Sequence, residues 1–202
     1  MMRRRPMFPM MARAAFFVAL VASLLLAAPA VRAVEVQRVT GGGVEAWLVE
    51  DHSNPIINVR LAFDGGAALD PAGKGGLAEM VAALLDEGAG DLDSTAFHQR
   101  LEDLAITLRF DADLDTLRGQ VETLSENRDT AFDLLRLALV EPRFDPEPVV
   151  RVRSQMQANV RAALEDPDTV AARAFFAMAF PDHPYGRPTG GTAESLAAIT
   201  VE

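Results

Sequence analysis

Residues 75–90 read GGLAEMVAALLDEGAG, and the fold is decided there. Leu77, Met80, Val81, Leu84 and Leu85 recur at three- and four-residue spacing, the stripe of a helix that faces a core. Gly75 and Gly76 give a tight start, and Gly88 suits a left-handed stop beyond the last turn. The spacing therefore predicts one buried helix closed by glycines. Asp86 and Glu87 fall in its last turn, where carboxylates oppose the helix dipole. They are expected to be solvated or held by a cation. Glu79 stands apart, because it sits inside the apolar run.

Working outward, Val34–Val39 and Val44–Val49 alternate apolar and polar residues across a Gly41-Gly42-Gly43 turn, as half-buried strands do. Ile56–Phe63 is a third strand, and the three together suggest a hairpin-rich antiparallel sheet. A Gly/Ala/Pro loop over 64–74 leads into the central helix. Asp93 or Ser94 is expected to cap a helix over Thr95–Leu104. Ile106–Ala112 and Leu117–Leu124 are two more strands, and Ser125-Glu126-Asn127 caps a helix over Arg128–Leu139. Pro142 and Pro146 break that helix. A long helix over Glu147–Leu164 follows, then one over Thr169–Phe180 capped by Asp168. The stretch 183–188 is expected to be extended, and a short helix covers Glu194–Ala198. The order βββ-αα-ββ-ααα defines an α+β fold, an antiparallel sheet with helices packed on one face.

Residues 1–33 read as a cleavable signal peptide. Arg3, Arg4, Arg5 and Arg13 precede an apolar run over Ala14–Ala28, and Val31-Arg32-Ala33 offers a small-residue cleavage site. The apolar run is shorter than the roughly 20 residues that a spanning helix needs, so no stable membrane anchor is expected after cleavage. A periplasmic or secreted location follows. Cleavage takes away five arginines and no acid, moving the formal charge from −10 to −15 and leaving one domain over 34–202. Such acidity argues against nucleic acid as a partner, which requires basic patches. The absence of cysteine removes disulfides and thiolate metal sites.

The loop Gly65-Gly66-Ala67-Ala68-Leu69-Asp70-Pro71, Gly76-Leu77-Ala78 opening the central helix, the Asp166-Pro167 step and Phe180-Pro181-Asp182-His183-Pro184-Tyr185-Gly186 occur in order. Together they resemble the first domain of the pitrilysin/insulinase family of zinc peptidases. In active members Gly-Leu-Ala is followed by the inverted motif His-x-x-Glu-His. The resemblance implies zinc-ligand positions at Glu79, Ala83 and Asn159 and the general-base position at Ala82. None keeps the family's residue, so no catalytic residue, no metal ligand and no cofactor is expected. On this resemblance the chain is expected to correspond to the family's first domain without its second.

The resemblance implies an exported, motif-less subunit that helps wall a peptide-degrading chamber beside a zinc-bearing partner of the same family. Its partners are then that peptidase subunit and peptide substrate. Tyr185 and Arg187 are candidate partner or substrate contacts, with a local role in bracing their loop as the alternative. Two other functions stay open: a metallopeptidase with an altered site that uses Glu79, and a stand-alone periplasmic peptide-binding or scaffold domain. Other chemistry finds no support. His52, His98 and His183 share no helical spacing. Asp111–Asp115 lacks the central glycine and closing glutamate of a calcium loop and reads as a hairpin turn.

Overall fold

A computed structural model describes residues 35–201 and divides them into two compact units, the first ending at His52 and the second beginning at Ser53. The predicted signal peptide lies outside the described residues.

The first unit holds a hairpin of β1 (Val36–Gly41) and β2 (Val44–Val49), paired antiparallel from Val36 opposite Val49 to Gly41 opposite Val44. Gly42 and Gly43 both take positive φ in the two-residue turn, as a tight hairpin requires.

The second unit is built on a three-stranded antiparallel sheet. Its members are β3 (Ile56–Asp64), β4 (Thr107–Ala112) and β5 (Thr116–Leu124), in the order β3-β5-β4. The first three strands thus do not form one sheet, since β3 pairs with β5. Along β5, Gly119, Val121 and Thr123 are buried while Arg118 and Glu122 are exposed, so one face of the sheet is covered. The cover is α2 (Ser94–Asp103) and α3 (Arg128–Val140), through Phe97, Leu101, Leu134 and Ala138, which form one core with Leu108 and Val121. Phe97 has no exposed surface, a burial that stabilises the fold by about 1.5–3 kcal/mol.

A second core joins α1 (Leu77–Ala82), α4 (Pro146–Ala163) and α6 (Ala193–Ala197) through Met80, Leu84, Val149, Val152, Val160 and Leu196. Between α4 and α6 runs α5 (Pro167–Ala179), which buries none of its residues.

Several boundaries differ from the sequence expectation. The central helix is α-helical only to Ala82, and tighter bonds from Leu84 N–H to Val81 O and from Glu87 N–H to Leu84 O carry the chain onward. The tightening is the short-range bonding that commonly ends helices. It buries Leu84, Leu85 and Glu87 alike. Asp166, not Asp168, caps α5, accepting from the N–H groups of Asp168 and Thr169. Pro167 fills the first helical position, so the cap must precede it. The stretch after His183 is a 3-10 turn over Pro184–Gly186, not an extended run. Residues 125–127 form another 3-10 turn; Asn127 makes no side-chain cap there and donates to the Leu104 carbonyl at 2.8 Å.

Candidate functional site

The site forms where the start of α1 meets the loop that follows the Pro184–Gly186 turn. Two glycine pairs make the meeting possible. A Cβ on Gly191 (φ +70°) would lie 2.0 Å from the Gly75 carbonyl oxygen, and one on Gly76 (φ +90°) would lie 2.8 Å from that of Gly190. Backbone therefore rests on backbone, at a left-handed φ that only glycine adopts without strain. Ser195 Oγ ties the crossing by donating to the Gly75 carbonyl at 2.7 Å.

Glu79 lies in the first turn of α1, half-buried, beneath Gly190. Burial pushes its carboxyl above the ordinary value; a hydrogen bond from the Thr189 side chain opposes the shift, and nearby Asp70 adds to it. Ala82 is buried in the core, whereas Ala83, the helix C-cap, is exposed. Asn159 is exposed on α4, and its Oδ1 accepts from Gln155 Nε2 at 2.9 Å.

As a donor set these four positions do not fit zinc. Catalytic zinc takes three protein ligands and a water. Two alanines offer no donor, and the Asn159 amide is a weak ligand already paired along its own helix. Among the described residues no three His, Cys, Asp or Glu side chains are grouped to hold a metal. His52 lies exposed with Nε2 3.8 Å from Glu50 Oε2. His98 stands near Asp86, whose carboxyl is pushed up by burial despite that neighbour. His183 Nδ1 accepts from the Tyr185 N–H at 3.2 Å, ordering its own loop. Glu87 is held by a cation: Arg151 Nη2 lies 2.5 Å from its Oε2, and Ser94 Oγ donates to the same oxygen at 2.6 Å.

Tyr185 and Arg187 come together with Thr189 and Gly190 around one cavity of about 380 Å³, also lined by Phe176 and Arg173. Both have local partners. Tyr185 donates to the Asp115 carboxylate at 2.8 Å, which holds its hydroxyl protonated and above its usual pKa. The Arg187 guanidinium donates to the Asp70 and Ala68 carbonyls at 3.2 Å. Thr189, which links Glu79 to this cavity, was not singled out in the sequence. The glycines that follow it were the available signal.

A three-stranded sheet is covered by helices, and the first turn of a short helix meets a glycine-rich loop. The sequence model of the insulinase family, peptidase family M16, matches residues 46–193, and the chain belongs to that family. It is 31% identical over 166 residues to the protein called non-peptidase homolog YmxG of Helicobacter pylori (strain ATCC 700392 / 26695), covering 82% of this chain and 38% of that protein. The peptidase M16 inactive domain from Pseudomonas fluorescens superposes with a TM-score of 0.78 at 26% identity, over 83% of this chain and 41% of that one. Pitrilysin shares the fold at a TM-score of 0.70 and 20% identity, over 83% of this chain and 18% of its own. The chain thus spans well under half the length of these relatives.

Proposed function

We propose that this chain is a non-catalytic M16 domain, exported to the periplasm, that supplies wall and peptide contacts to a chamber formed with a zinc-bearing partner of the same family. One observation carries the reading: at the positions the resemblance aligns with the family's ligands and base, Ala82 and Ala83 offer no donor atom, and Asn159 is paired with Gln155 along its own helix, so with Glu79 they do not make a zinc ligand set. The exposed side of α5 supports a partner. Val170, Phe175, Phe176 and Met178 are all exposed on that helix, and apolar surface of this kind marks interaction sites. The charged and apolar run at 1–33 supports export.

The test is co-purification with the motif-bearing M16 chain encoded nearest to it, with metal content and peptide turnover measured alone and together. The chain alone is expected to carry little zinc and cleave nothing, and to raise its partner's turnover on mixing. Stoichiometric zinc with cleavage by the chain alone overturns the proposal, as does failure to associate with the partner.

A further inference from the structure

The cavity beside Tyr185 contains a charge that the fold itself does not answer. Arg38, Arg118, Arg128, Arg136, Arg143 and Arg151 each pair with a carboxylate. Arg60, Arg100, Arg109 and Arg161 are exposed, where water answers their charge. Arg153 is half-buried without a carboxylate, and its Nη2 donates to the Ile199 carbonyl at 2.8 Å. Arg173 fits none of these cases. It is half-buried on α5, lines the cavity, and makes no hydrogen bond or ion pair with any described residue. Its guanidinium therefore brings an unpaired positive charge to the cavity, free to meet an anion.

A second guanidinium lines the same cavity. Arg187 spends two of its N–H groups on the Asp70 and Ala68 carbonyls, which fix it in place without neutralising it. Two acids bonded to residues of its wall are already engaged: Asp115 accepts from the Tyr185 hydroxyl and Glu79 from Thr189. The remaining wall is apolar, formed by Leu114, Phe176 and Pro188 among others. The volume of about 380 Å³ is at the lower end of ligand pockets. Fixed cationic donors beside an apolar wall match a carboxylate that adjoins an apolar side chain, because arginine recognises carboxylates with paired N–H groups.

We propose that this cavity binds the carboxylate of a peptide, with Arg173 as the primary contact, Arg187 as a fixed second charge, and the neighbouring apolar side chain against Phe176. The proposal deepens the reading of the chain as a peptide-contacting domain and rests on that part of it, but not on the zinc-bearing partner. The carboxylate comes from either a peptide C-terminus or an acidic side chain, and both present the same group.

Calorimetric titration of the full chain, without any partner, tests it. The probes are Ala-Leu-Phe as the free acid, the same peptide as its amide, and acetyl-Ala-Glu-Phe-amide. One of the two carboxylate-bearing probes is expected to bind at least about tenfold more tightly than Ala-Leu-Phe-amide, the value of one charged contact. Which of them binds identifies the source. Arg173→Gln is expected to remove that preference and Arg173→Lys to keep part of it, with unfolding midpoints unchanged. Equal binding of all three probes, or no binding of any, overturns the proposal, and so does a preference that survives in a folded Arg173→Gln variant. If that variant does not fold, the comparison of probes on the unaltered chain decides. A peptide-binding failure leaves partner co-purification unaffected, so the two proposals fail separately.

Discussion

Asp70 Oδ2 lies 2.7 Å from the backbone nitrogen of Gly76, and this contact starts helix α1 from six residues upstream. The same carboxylate accepts from Leu77 N–H at 3.1 Å and from Ala78 N–H at 3.0 Å. The first N–H groups of a helix have no partner within it, and Gly76 at the cap position has no side chain to offer. A buried acid in the preceding loop takes the role and meets the positive end of the helix dipole.

Asp70→Ala is therefore expected to destabilise the domain by about 3 kcal/mol, since it leaves three N–H groups without their acceptor, one of them buried. Asp70→Asn, which retains one acceptor oxygen, is expected to lose about half as much. Urea unfolding midpoints check both. A midpoint unchanged by Asp70→Ala would show that water satisfies the helix start unaided.

Glu87 and Arg151 supply the second prediction. The Glu87 side chain is 11% exposed and that of Arg151 51%, so the acid is buried while its partner reaches solvent. Arg151→Met keeps the aliphatic stem and removes the charge. The expected loss is about 1–3 kcal/mol, below that of a wholly buried pair because water can reach the vacated position. Adding Glu87→Gln should recover part of it, since the amide does not require a counter-charge. A double-mutant cycle by urea unfolding measures the coupling, and strict additivity would count against the pair.

The pH dependence of Glu79 gives the third prediction. Burial raises its carboxyl in the folded chain above the ordinary 4.5. The folded state thus holds the proton more tightly than the unfolded chain does. The stability contributed by this group is fully present below 4.5 and is lost as pH rises through the folded value. Glu79→Gln, neutral at every pH, is expected to match the parent chain near pH 4 and to become the more stable of the two toward pH 7. Other acids titrate in both proteins and largely cancel in the difference. Thermal midpoints of both proteins across that range check it; a difference that stays flat or shrinks with rising pH would be contrary.

Much of this architecture was legible in the sequence because it depends on local pattern. The alternation of β4 and β5 and the stripe of α3 gave those elements nearly to the residue. Asp93 capping α2 through Ala96 N–H was equally local. What stayed hidden was long-range. Nothing in Ile56–Asp64 says that β3 pairs with β5 and not with the hairpin before it. After α1 ends at Ala82, the chain is held by reciprocal bonds between Ala89 and Leu92, by Gly90 N–H to the Glu141 carbonyl and by Arg143 N–H to the Gly88 carbonyl, which no helical pattern contains. At the site, the ligand positions were readable as residue types, but their setting was not. Thr189, which donates to Glu79, is more than a hundred positions away, and the unpaired state of Arg173 is visible only once the other described arginines have been placed.

The adjacent alanines Ala82 and Ala83 permit a sharp final test. The resemblance to active members aligns Ala82 with the general base, yet Ala82 is 2% exposed, whereas Ala83 beside it is exposed at the helix C-cap. Ala82→Glu would place a carboxylate where the parent side chain is almost wholly removed from water. Such a group must be protonated or force the core apart, and the expected loss is about 4 kcal/mol. Ala83→Glu adds the same atoms in solvent and is expected to stay within about 0.5 kcal/mol of the parent chain. Urea unfolding of the two variants distinguishes the positions directly. If Ala82→Glu were tolerated as well as Ala83→Glu, the base position would open onto a space able to hold a carboxylate, and only ligands would be missing from the site. If it unfolds the domain, the base position has become core, and restoring the family's motif would cost the fold that carries it.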